Sequence, residues 1–110
     1  MSNEVTWAVE YDADADKGMI VGGTLEGEVL VSTELQFQHG PIGENGVNGI
    51  QNEPLLELLA TRIEALDERF PCDENKTAIS RINQALDVLN QRTQRRREQG
   101  VEGKNEAHTS

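Results

Sequence analysis

A chain of 110 residues with a net charge of −10 holds one domain, or one domain with a small appendage. Its acidity excludes a general binder of nucleic-acid polymers, because that affinity rests on counterions released by a basic surface. The start MSNEVTWAVE lacks the basic and apolar regions of a signal peptide, no apolar run approaches membrane-spanning length, and the lone Cys72 has no intrachain disulfide partner, so the expected compartment is cytoplasm without a membrane partner.

Charge is unevenly placed. Residues 1–51 hold nine acids against the single base Lys17, whereas Arg92, Arg95, Arg96 and Arg97 fall in one short run. Val5, Trp7, Val9 and Tyr11 alternate with polar or small residues and predict a strand. DADADKG, residues 12–18, follows as a turn. Asp12, Asp14 and Asp16 resemble the start of a calcium loop, but Lys17 and Gly23 stand where that loop needs Gly and a bidentate Glu, which favours an acidic hairpin turn. A short strand is predicted over Met19–Val21, then a turn bracketed by Gly22, Gly23 and Gly27. Strict alternation from Glu28 to Gln38 predicts a third strand and an antiparallel meander over residues 1–39. A sheet this small must pack on helices or on another subunit.

Residues 40–51 form a glycine-rich joint with Gly40, Gly43, Gly46 and Gly49 at every third position. They read equally as a flexible link or as a nest of bare N–H groups suited to an anion, with Gly46 and Gly49 as the candidate donors. Asn52 is the expected N-cap of a helix over 53–69 whose apolar stripe is Leu55, Leu59, Ile63, Leu66 and Phe70. Pro71 ends it. Asp73 is the expected cap of a second helix, striped by Ile79, Ile82, Leu86 and Leu89 and stopping at Gly100. Residues 52–99 thus form an antiparallel helical hairpin, and 100–110 a disordered tail. The fold class is α+β.

The second helix outruns the first by about two turns, which places Arg92 near Asn52. Asn75, Ile82, Leu89 and Arg96 lie on one stripe, and Ala78, Ala85 and Arg92 on the next, so Arg92 and Arg96 continue the buried side while Arg95 and Arg97 turn to solvent. Two arginines four residues apart repel by about 0.2–0.5 kcal/mol. A shared anion reverses that, since each charge-assisted bond contributes about 1.5–3 kcal/mol. The alternative is a basic helix end that complements the dipole. His39 and His108 have no partners at metal-ligand spacing, and no catalytic triad spacing occurs. No cofactor, metal or catalytic residue is expected.

The runs FQHGPIGENGVNGIQNEPLL, FPCDENKTAI and LNQRTQRRREQGVEG, in this order, resemble the hairpin domain of two groups of phage proteins. These are the first Thoeris anti-defence protein and the second anti-CBASS protein. The small sheet ahead of the hairpin is similar to the Thoeris-type branch. The resemblance implies a signal sponge in the host bacterial cytoplasm. Such a protein binds glycosyl-cyclic ADP-ribose, and also cyclic di- or trinucleotides, without cleaving them, as a dimer-based homo-oligomer of hexameric form. It further implies that Arg92 and Arg96 hold phosphates, that Asn75 bonds ribose or base, and that Phe70 stacks on adenine. The other reading of Phe70 is the apolar end of its helix. Asn75 and Arg92 are seventeen residues apart on one helix, about 25 Å, so a shared ligand requires two subunits packed antiparallel. A competing reading of the charge is an acidic interaction protein that antagonises a host nucleic-acid-binding protein. A nucleotide-processing enzyme is the third and least supported.

Overall fold

The computed structural model describes residues 4–99. The chain is α+β and divides into two compact units, residues 1–39 with 47–50 and residues 40–46 with 51–110. The predicted tail, its glycine stop and His108 lie outside the described residues.

The first unit is a three-stranded antiparallel meander in the order β1-β2-β3, with β1 Thr6–Asp12, β2 Lys17–Gly23 and β3 Val29–Gln36. Register sorts the side chains by chemistry. Trp7, Gly22 and Val31 align across the sheet, as do Val9, Ile20 and Thr33, and Tyr11, Gly18 and Leu35, which makes one face apolar. Glu10, Met19 and Glu34, with Asp12, Lys17 and Gln36, occupy the other face.

β2 is longer than the expected Met19–Val21, and Gly22 and Gly23 belong to the strand. Their role is close approach. A Cβ on Gly22 would come within 2.7 Å of the Trp7 ring and 2.9 Å of Val31 Cγ1. In the β1–β2 turn, the Asp12 carboxylate accepts the amides of Asp14 and Ala15 at 3.0 and 3.3 Å. Local capping therefore uses the first acid of the DADAD repeat.

The glycine-rich segment, expected as one open joint, is ordered in two parts. A short helix α1, Ile42–Asn45, ends at Gly46, whose positive φ of 72° is of the kind glycine allows and whose N–H donates to Ile42 O at 2.8 Å. Residues 47–50 instead return to the sheet. Ile50 pairs in parallel with Phe37, donating to Gln36 O at 2.9 Å and accepting from Gln38 N at 2.8 Å. Asn48 clasps His39 by accepting its N–H and donating to its C=O, both at 2.8 Å. A Cβ on Gly49 would run into the Phe37 carbonyl.

The hairpin consists of α2, Asn52–Arg69, and α3, Asp73–Glu98. On α2 the more buried positions are Glu53, Leu55, Leu56, Ala60, Ile63, Leu66 and Asp67; on α3 they are Asn75, Ala78, Ile79, Ile82, Leu86, Leu89, Thr93 and Arg96. Spacings alternating between three and four are those of a two-helix seam. Ala60, 5% exposed, is its tightest point. The expected α2 stripe is only partly the buried one: Leu59 and Phe70 are exposed, because a second apolar flank runs beside the seam.

Both caps lie one residue ahead of expectation. Gln51 precedes α2 without a side-chain cap, and Asn52 is its first residue. Cys72 caps α3, its Sγ accepting the Asn75 amide at 3.4 Å, with Asp73 in the first turn.

Candidate functional site

The turn of the hairpin is built by one carboxylate. Asp67 accepts the Cys72 N–H at 3.0 Å and pairs with Lys76 Nζ at 3.1 Å, so the end of α2 is tied to the start of α3. The Cys72 amide first, then Lys76, holds the Asp67 carboxyl below its ordinary range. Phe70, 73% exposed, and the half-buried Asn75 flank this clamp at the hairpin turn. The Asn75 amide nitrogen approaches Phe70 O at 3.5 Å, a long contact that orients the side chain more than it stabilises it. An exposed aromatic ring and a carboxamide at one turn offer a nucleobase a face to stack on and an edge to bond.

The Asp67–Lys76 pair also aligns the helices. Counting outward equally along both puts Asn52 near Gln91 and leaves about two turns of α3 beyond the start of α2. Arg95, Arg96 and Arg97 occupy that last turn. Arg92, Arg95 and Arg97 are exposed, whereas Arg96 is half-buried and its Nε is buried without a hydrogen-bond partner. The expectation that Arg92 continues the buried side is not met: it is exposed, as is Ala85, and only Ala78 of that stripe is half-buried. A buried guanidinium nitrogen without an acceptor costs free energy until an acceptor arrives.

The structure therefore brings Phe70 and Asn75 together at one end of the hairpin and leaves Arg92 and Arg96 towards the other. Seventeen residues of helix, about 25 Å, separate Asn75 from Arg92 within one chain. Of the two glycine candidates, Gly46 lies with the hairpin unit and its amide serves the end of α1, while Gly49 lies with the sheet unit against Phe37.

A second polar cluster escaped sequence reasoning. Asp16, at the positive φ of 53°, accepts the Tyr11 hydroxyl at 2.5 Å and meets His39 Nδ1 at 2.8 Å. The Tyr11 hydrogen bond, followed by the His39 bond, lowers the Asp16 pKa; the same Asp16 bond is the main cause that raises Tyr11. Tyr11 also meets the Phe37 ring edge-on at 6.2 Å. The only available signal was Asp16 at the end of an acidic turn, whose partner twenty-three residues away carries no local pattern. The shallow hollow on the opposite face, lined by Glu10, Asp12, Lys17, Gly18, Met19 and Glu34, is acidic and repels anions.

The fold and the hairpin thus define an α+β protein with a two-ended polar surface, basic at one end and aromatic-amide at the other. No family model matches the chain. It is similar to the protein named Thoeris anti-defense 1 of Bacillus phage SBSphiJ7, with 42% identity over 73 residues, 66% of this chain. The chain spans about half of that relative's length, the match covering 51% of it. No helix among the described residues is long and apolar enough to cross a membrane.

Proposed function

We propose that the protein is a phage anti-defence factor acting against Thoeris immunity in the host cytoplasm, and that it works by capturing a cyclic nucleotide messenger without cleaving it. The similarity to Thoeris anti-defense 1 supports the anti-defence role. Capture is supported by the unpaired buried Nε of Arg96, a cationic donor that lacks an acceptor. Arg92 and Arg96 of one copy hold the phosphates of a glycosyl-cyclic ADP-ribose. Asn75 and Phe70 of a second, antiparallel copy hold the ribose and adenine. Two copies are required because one chain separates these ends by about 25 Å. The exposed Leu58, Leu59 and Val88 supply apolar surface for such packing, and dimers assemble further into a hexamer. Cyclic di- and trinucleotides of CBASS immunity are further candidate ligands.

The test incubates the protein with glycosyl-cyclic ADP-ribose, removes protein by filtration, then heats the retained fraction. Intact messenger should vanish from the filtrate and return on heating. A modified product would make the protein an enzyme, and an undepleted filtrate would overturn capture. The acidic sheet face, with Glu10, Asp12 and Glu34, favours a second reading, an antagonist that docks on a basic host protein.

A further inference from the structure

The sequence Asn-Gly occurs twice, three residues apart, as Asn45–Gly46 and Asn48–Gly49. An asparagine in this setting loses its amide in water without an enzyme. The backbone nitrogen of the following residue, having given up its proton, attacks the side-chain Cγ. The new C–N bond expels ammonia and closes a five-membered succinimide. Water then opens either carbonyl of that ring and leaves aspartate or isoaspartate, so one amide and one water become one carboxylate and one ammonium. Glycine favours the attack because it has no Cβ to hinder its nitrogen.

Both asparagines are exposed, and both are followed by a glycine and then a β-branched residue, Val47 or Ile50. Hydrogen bonding separates them. The Asn48 amide is the clasp: Oδ1 accepts the His39 N–H and Nδ2 donates to the His39 C=O, both at 2.8 Å. Its own N–H donates to Gln38 Oε1 at 3.1 Å. Gly49 is pressed against the Phe37 carbonyl, and Ile50 is paired on both sides. Turning Cγ of Asn48 towards the Gly49 nitrogen breaks both clasp bonds and rotates backbone that has no room to move. Asn45 instead ends α1, a single helical turn, with its side chain resting on Gly40. There the attacking nitrogen is held by one bond, from Gly46 N to Ile42 O at 2.8 Å. A lone turn opens easily, because helices this short are marginal in water.

We infer that Asn45 is a site of spontaneous deamidation and that the His39 clasp protects Asn48 from the same reaction. Conversion at Asn45 adds a negative charge to α1 and leaves the clasp intact. Conversion at Asn48 would replace the Nδ2 donor by a carboxylate facing the His39 carbonyl. The reaction uses no residue of the hairpin, so it stands independently of messenger capture.

The test incubates the full chain in mildly alkaline buffer and follows both sites by peptide mass spectrometry, each conversion adding about one mass unit. In the native protein Asn45 should react about tenfold faster than Asn48 or more, the factor that two ordinary hydrogen bonds supply. In urea the two rates should converge. Asn45→Gln, whose longer side chain would have to close a six-membered ring, should lose the early acidic form seen in isoelectric focusing. Equal native rates at the two sites, or a native chain that resists at both while the unfolded chain reacts, would overturn the inference. So would a contrast that persists in urea, where the clasp no longer exists.

Discussion

Asp67 and Lys76 meet across the hairpin turn at 3.1 Å, and the same carboxylate accepts the Cys72 amide at 3.0 Å. Only Phe70, Pro71 and Cys72 connect the two helices, and this carboxylate ties the end of α2 to the start of α3 across them. Asp67→Ala should lower the thermal midpoint, and Asp67→Asn should lower it less, because an amide oxygen still accepts from Cys72. Differential scanning calorimetry distinguishes the two.

The pH dependence follows from the same group. The folded-state pKa of Asp67, like that of Asp16, is lowered from 3.8, so each contributes stability that is present above that value. That contribution is lost as pH falls through the lower folded-state value. Acid unfolding should steepen below about pH 4, and Asp67→Asn should flatten that limb. Tyr11 has the opposite sign. Raised from 10.0, it contributes below that pH and loses the contribution as pH climbs through the folded value. Denaturant midpoints across pH check both limbs.

Gly49→Ala should cost about 1–3 kcal/mol, because the new Cβ meets backbone at Phe37 and one strand must move. Hydrogen exchange should then accelerate at the Ile50 amide, which donates to Gln36. Gly22→Ala meets only side-chain ends at Trp7 and Val31 and should be milder. Trp7 fluorescence reports that displacement.

Arg96→Met should separate folding from binding. Removing a buried nitrogen without an acceptor leaves the thermal midpoint unchanged or raised. Loss of a charge-assisted bond should weaken glycosyl-cyclic ADP-ribose about ten- to a hundredfold in calorimetric titration. Unchanged affinity in both Arg96→Met and Arg92→Met would remove the phosphate assignment.

The strands were legible because alternation is a local signal, as in Val29 to Leu35. The extent of β2 was not, since Gly22 marks a Trp7 ring fifteen residues away rather than a turn. On α2, periodicity alone does not distinguish two adjacent apolar flanks, so Leu59 and Phe70 were expected inside and stand outside. The half-burial of Arg96 was readable from its seven-residue spacing to Leu89 and Ile82, whereas Arg92, expected on the buried side, is exposed. The Asn48–His39 clasp had no sequence signature, because it joins a side chain to backbone across an irregular segment.

That clasp has a topological consequence. His39 and Asn48 are held together, so residues 40–46 leave one point and return to it as an excursion with α1 inside. Its ends are already joined by hydrogen bonds that the excursion does not make. Changing its length leaves the clasp in place and adds a loop-closure cost that grows slowly with length. The excursion is therefore the natural place for an insertion or a label, whereas a cut between Asn48 and Ile50 would strip the last pairing from the edge of β3.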